Sequence, residues 1–264
     1  MMCAVRAVLL DIDGVLYVED DPVQGAIEAL AQLRDAGLIL RFVTNTTNRS
    51  HASILTKMRR LGFSVAETEL LTPAELAVRL CTTRGHRRVA LFVAAELRAD
   101  FTGLQVADEG AAADAVIIGD LGEAWDYATL NRAFRLVVNG ADLIALQKNR
   151  YWLRADGLAL DAGPFVAALE YAADSTATTV GKPAQAFFEQ ALEAAGVAAG
   201  EAVLVGDDIE SDIGGALAAG VGAVLVRTGK YREDRVAATG ITPTATVGSI
   251  ADVPRLLADL PEPG

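Results

Sequence analysis

Asp11 and Asp13 follow the apolar run Ala7-Val8-Leu9-Leu10 and precede Gly14, so two carboxylates stand where a buried strand should end. In an open α/β sheet, ligands bind outside the carboxyl ends of the strands. Carboxylates placed there can serve as a nucleophile, as an acid or base, and as part of a metal site. The same residues also suit a plain acidic turn, with Asp13 capping and Gly14 bending the chain. Three further strand ends or helix starts bear on that choice. Thr44 and Asn45 follow an apolar strand ending at Val43 and offer a hydroxyl, a side-chain amide and backbone N–H groups, although a helix N-cap or loop would use the same residues. Lys182 lies in Gly181-Lys182-Pro183, which is no P-loop: Thr176 stands where that motif needs glycine, and no Ser or Thr follows the lysine. Asp207 and Asp208 close the run Val203-Leu204-Val205-Gly206, with Asp212 just beyond. Acidic residues at a helix start suit the helix dipole. Carboxylates this close at the end of a buried strand nevertheless repel one another without a cation, and a hard ion such as Mg²⁺ prefers oxygen ligands.

The elements that must position these groups alternate. Apolar spacing predicts a helix over 24–36 closed by Gly37, a strand over 38–43 and a helix over 50–61. The pattern returns late, with helices over 185–195 and 210–219, strands over 202–205, 223–226 and 245–247, and a last helix over 253–260. Such alternation predicts βαβ units and a parallel sheet. Between the halves, strands are expected over 89–93, 115–118 and 143–146, with a helix over 127–138. A hairpin is expected where Tyr151-Trp152-Leu153-Arg154 turns at Asp156-Gly157 into Leu158-Ala159-Leu160. The expected fold is α/β: a three-layer, Rossmann-like core from 1–72 and 179–264, interrupted by an inserted α/β domain over 73–178.

Composition limits the function. The 264 residues are 52% hydrophobic and 22% charged, as in an ordered globular chain. A formal charge of -12 argues against broad contact with nucleic-acid phosphates, while a locally positive pocket for small anions stays compatible with it. Cys3 and Cys81 form no pairing pattern and read as small buried side chains, and the separated His51 and His86 do not suggest zinc. No leader pattern and no apolar run of bilayer length is apparent, so a cytoplasmic setting without membrane contact is expected.

Taken together, Asp-x-Asp-Gly, Thr-Asn, Lys-Pro and Gly-Asp-Asp-x-x-x-Asp, in this order, resemble the haloacid dehalogenase superfamily of phosphotransferases. The long interval from Thr44 to Lys182 resembles the large α/β cap of its 4-nitrophenylphosphatase-like and NagD-like subfamily. Arg41 to Thr47, Gly163-Pro164-Phe165 with Ala168 to Ala172, Gly206 to Ile209 and Thr228 to Arg232 are similar to its phospholysine phosphohistidine inorganic pyrophosphate phosphatase branch. Some relatives in that branch carry Ser where this chain has Asp13, a departure toward the full superfamily pattern. The resemblance implies a phosphatase acting on a phosphorylated small molecule, with Asp11 as nucleophile and Asp13 as acid and base. It implies Mg²⁺ held by Asp11, the Asp13 carbonyl and Asp207, and phosphoryl oxygens held by Thr44, Asn45 and Lys182. Asp208 and Asp212 would stand behind them, orienting Lys182 or waters on the metal. Related caps can mediate dimerisation, which leaves a homodimer open.

The loop Gln147-Lys148-Asn149-Arg150 brings cations beside Tyr151 and Trp152, which suits either substrate choice through Lys148 and Arg150 or an ordinary basic hairpin. Two other functions share features of the pattern. A receiver-like phosphate-binding module also gathers acids, a Thr and a Lys at strand ends, but carries no such insertion. A phosphotransferring mutase shares the aspartyl-phosphate step, but its cap enters sooner after the first strand, and the Asp11 to Thr44 interval leaves too little chain for a cap plus a crossover helix.

Overall fold

The computed structural model describes residues 5–154 and 157–259, and the chain divides into two compact units. The first comprises Met1–Thr44, Leu55–Leu71 and Lys182–Gly264, the second Asn45–Ile54 and Thr72–Gly181. The helix His51–Arg60 runs across that division, so residues 45–54 group with the second unit.

In the first unit, Val8, Leu9 and Leu10 have no exposed surface, as a strand covered on both faces requires. Their strand, Ala7–Asp11, lies inside a six-stranded parallel sheet. Ala202–Gly206, Gly222–Val226 and Ala245–Val247 follow on one side, Ile39–Val43 and the two-residue Leu70–Leu71 on the other. Register then does the positioning: Leu10 pairs with Val205 and Asp11 with Val43. Asp11, Thr44 and Asp207 therefore leave neighbouring strands at the same carboxyl edge, with strands about 4.8 Å apart.

The helices Ala26–Asp35, Gln185–Ala195 and Val253–Ala258 match the apolar spacing. The expected helix over 210–219 is different. It begins as a π-helical segment, Ile209–Gly214, and becomes α-helical only over Gly215–Ala218. Asp208 starts it by accepting hydrogen bonds from the Glu210 and Ser211 N–H groups, 3.0 Å each, while its own carbonyl accepts from both Asp212 and Ile213. Gly215 follows because a Cβ there would come within 2.9 Å of the Phe188 ring and of the Pro183 backbone.

The second unit holds a five-stranded parallel sheet, ordered Thr178–Thr179, Asp142–Ala145, Ala115–Ile118, Arg88–Phe92, Gln105–Val106. Val116, Ile118, Leu143 and Phe92 form a core with Ala133 and Val137 of the helix Tyr127–Val138 and Val166 and Leu169 of the helix Ala162–Ala173. Trp125 stacks between Phe92 and Phe165, with centroids 6.1 and 4.7 Å away. Tyr151–Arg154 and Gly157–Leu160 pair as an antiparallel hairpin; Asp156 and the Trp152 side chain lie outside the described residues, as does Cys3. Cys81 is buried and free, and burial pushes its thiol up to about 11. No described helix is long and apolar enough to cross a membrane.

Besides the short helix Glu233–Thr239, two longer helices, Pro73–Arg84 and Ala162–Ala173, go beyond the elements expected from spacing. Both have side-chain caps: Thr72 accepts from the Glu75 N–H, and Asp161 from the Ala162 N–H. If the central strand supports the first unit as its burial indicates, Leu9→Ala should lower the unfolding free energy by about 2–5 kcal/mol in a urea titration. A loss below about 1 kcal/mol would contradict that placement.

Candidate active site

A lysine with no water around it must find its charge partners inside the protein. Lys182 is 2% exposed, and its Nζ lies 2.6 Å from Asp11 Oδ1 and 2.6 Å from Asp212 Oδ1. The three residues come from separate parts of the chain. Asp11 ends the central strand, Lys182 precedes the helix Gln185–Ala195, and Asp212 sits in the π-helical segment. Burial alone would lower the Lys182 pKa, but the two carboxylates overcome it and hold that pKa above its ordinary value.

Asp207 completes the group. Among the described residues, Asp11, Asp207 and Asp212 are all buried and each offers a ligand atom within 4.8 Å of the others. Asp207 Oδ2 accepts the Lys230 backbone N–H at 2.7 Å, whereas the buried Oδ1 has no hydrogen-bond partner among the described residues. Burial first, then the charges of Asp11 and Asp212, push the Asp207 carboxyl up to about 8. Asp212 is pushed up to about 6 by burial and Asp11, with Lys182 opposing. Both Asp212 oxygens are engaged, Oδ1 by Lys182 and Oδ2 by the Asp208 N–H at 3.2 Å. Asp208 itself is held below the usual carboxylate range against its burial, because the Ser211 and Glu210 N–H groups and the Lys230 charge favour its ionised form.

Acids raised by burial and by one another's charge, with one buried oxygen unpartnered among the described residues, mark a place short of positive charge. The all-oxygen donor set fits a hard divalent cation. Asp207 Oδ1 is its clearest open ligand atom.

The remaining expected residues fall in different places. Thr44 is buried immediately beyond Val43, the cross-strand partner of Asp11, and its N–H donates to the Leu71 carbonyl at 3.4 Å. Asp13 is exposed on the loop after the central strand and forms a bridge with Tyr17. Asn45 groups with the second unit, where a Cβ on Gly181 would lie 2.7 Å from its Oδ1. Lys148 and Arg150 are exposed residues of that same unit. Lys148 Nζ donates to both Glu170 oxygens, at 2.9 and 2.8 Å, and Glu170 also accepts the Ala177 N–H. The expected site residues did not include Lys230, whose charge and backbone N–H both favour the ionised form of Asp207. The available signal was its place: Thr228-Gly229-Lys230 lies just past the carboxyl end of the buried strand Gly222–Val226.

Known proteins resemble this chain over most of its length. Residues 8–107 match the family described as haloacid dehalogenase-like hydrolase, and residues 179–253 match a HAD-hydrolase-like family. The human haloacid dehalogenase-like hydrolase domain-containing protein 2 is 48% identical over 87% of this chain and 86% of its own length. The Xenopus laevis phospholysine phosphohistidine inorganic pyrophosphate phosphatase is 42% identical over 94% of this chain and 92% of its own. Among solved structures, the p-nitrophenyl phosphatase from Archaeoglobus fulgidus superposes with a TM-score of 0.89, at 25% identity, covering 96% of this chain and 99% of that one. With relatives this similar over nearly their whole length, and Asp11 and Asp207 each inside a matched segment, the chain belongs to the haloacid dehalogenase-like hydrolases.

Proposed function

We propose that this chain is an Mg²⁺-dependent phosphatase. It hydrolyses a phosphate monoester, pyrophosphate or phosphoamidate of a small molecule through an aspartyl-phosphate on Asp11. The observation that carries this reading is the buried Lys182 between Asp11 and Asp212, beside an Asp207 oxygen without a partner. Such a lysine pairs with the Asp11 carboxylate and fixes its direction, as an attacking group needs. The similar proteins named above as phosphatases support the same class, and their names span esters, a pyrophosphate and phosphoamidates.

In the proposed reaction an Asp11 oxygen attacks phosphorus while the bond from phosphorus to the leaving atom breaks. Asp13, exposed where a substrate can reach it, gives that atom its proton. Asp13 then takes a proton from water as the water oxygen attacks phosphorus, releasing inorganic phosphate and restoring the Asp11 carboxylate. Thr44, Asn45 and Lys182 hold the phosphoryl oxygens, since positioning and charge dominate this chemistry. Asp212 orients Lys182, and Asp208 orients Asp212 through its N–H. Asp11, the Asp13 carbonyl and Asp207 would hold Mg²⁺, whose charge offsets repulsion between nucleophile and phosphate. Leaving-group contacts from Lys148 and Arg150 belong to the same proposal, as does a cytoplasmic setting; for Lys148 they would be made while Glu170 also holds the ammonium.

Phosphate release from a panel of phosphorylated metabolites, with and without Mg²⁺, tests the reading. Asp11→Asn should lower kcat by roughly a thousandfold or more with the fold intact by circular dichroism. Wild-type turnover in that variant would remove Asp11 as nucleophile. Metal binding has its own readout in thermal melting without substrate. Mg²⁺ at a hundredfold excess over its Kd should stabilise the wild type by about 2.7 kcal/mol. Asp207→Asn should lose most of that gain, yet melt above the metal-free wild type because one of three mutually repelling acids is gone. Equal Mg²⁺ shifts in the two proteins would exclude Asp207 as a ligand.

A further inference from the structure

Gly14 is buried with φ +87°, a backbone conformation that needs glycine and that relaxes unless its polar groups are held. Its N–H donates to the Tyr17 carbonyl at 2.8 Å. Its carbonyl accepts the Thr228 hydroxyl at 2.5 Å, a bond between residues 214 positions apart. In a planar trans peptide the C=O points opposite to the following N–H, so anchoring the Gly14 N–H also sets the direction of the Asp13 carbonyl.

The loop that carries Thr228 lies directly on this turn. A Cβ on Gly229, itself at φ +60°, would come within 2.5 Å of Gly14 Cα and would collide with Asp207 Oδ2. A Cβ on Gly14 would collide with the same oxygen. One residue on, the Lys230 N–H holds that oxygen at 2.7 Å. The segment Thr228-Gly229-Lys230 thus grips two things at once: the turn containing Asp13 and Gly14, and one oxygen of Asp207.

We propose that Thr228 is a positioning residue for the active site. Its hydroxyl latches the Asp13–Gly14 turn against Asp207, so that the Asp13 carbonyl and Asp207 Oδ1 are held in place for the same cation. This rests on the metal ligands and acid proposed above, and it assigns a role to a side chain that touches neither substrate nor metal. Without the hydroxyl, the buried Gly14 carbonyl loses its partner and the turn loses its tie to the Thr228 loop, while its own backbone bonds and every carboxylate are retained.

The test compares Thr228→Val, which removes the hydroxyl at similar volume, with Thr228→Ser, which keeps it. Two quantities are measured: Mg²⁺ affinity by calorimetry without substrate, and kcat and KM on the compound the wild type hydrolyses fastest. Losing one such bond should lower kcat about tenfold in the valine variant, leave KM within about twofold, and weaken Mg²⁺ binding severalfold. The serine variant should recover both quantities to within about twofold of wild type. A valine variant matching wild type in kcat and Mg²⁺ affinity overturns the latch, and so does a serine variant as impaired as valine. Should valine fail to fold by its melting profile, Thr228→Ala against Thr228→Ser makes the same comparison. If instead the wild type releases no phosphate, or Asp11→Asn keeps wild-type rates, the functional reading fails, and Mg²⁺ calorimetry on the same variants still decides the latch.

Discussion

Three carboxylates buried within 4.8 Å of one another are the constraint on which the site depends. Ionised and alone they would repel, and protonated they would be poor nucleophiles and ligands. One internal cation, Lys182, relieves Asp11 and Asp212, and Asp207 is left needing another. Taking one partner out of such a buried pair typically costs about 3–5 kcal/mol, because the other charge stays behind uncompensated. The arrangement therefore holds together only as a set. The same asymmetry, two acids paired from within and one not, is what a site for a cation and an anionic substrate requires.

The sheet is the device that brings the set together. Parallel pairing makes the ends of neighbouring strands coincide, so residues 11, 44 and 207 meet at one edge although the chain between them wanders through a second unit. Asp212 needs a further adjustment, and the π-helical segment supplies it. Asp208 caps that segment with its carboxylate and holds Asp212 with its N–H, so one residue both starts the helix and aims the acid behind the lysine. Gly206 adds to this closeness: a Cβ there would collide with the Asp212 side chain.

What was legible in the sequence was whatever burial writes into it. Val8-Leu9-Leu10 and Val203-Leu204-Val205 read as strands because both faces are covered, and Asp11 and Asp207 stood out because charges end those runs. The π-helical turn was not legible, since apolar spacing at Ile209, Ile213 and Ala216 fits a helix of either width. The helix Ala162–Ala173 was obscured by Gly163 and Pro164 in its first turn, although Pro is well placed there and Asp161 caps it. Lys148 looked like an uncommitted cation because Glu170, its partner, lies 22 positions away on that helix. Lys230 escaped for a different reason: its backbone N–H is a donor any residue could supply, and its charge sits on an exposed loop lysine that reads as ordinary surface until the fold sets it beside Asp207 and Asp208.

The account stands or falls on a covalent bond to Asp11. Mixing the enzyme with substrate and Mg²⁺, quenching within one turnover and reducing with borohydride converts an aspartyl-phosphate to homoserine, which peptide mass spectrometry can locate. Homoserine at position 11, absent when substrate is omitted, is the predicted result. Rapid phosphate release with Asp11 unreduced, or a reduced acid elsewhere in the chain, would contradict it.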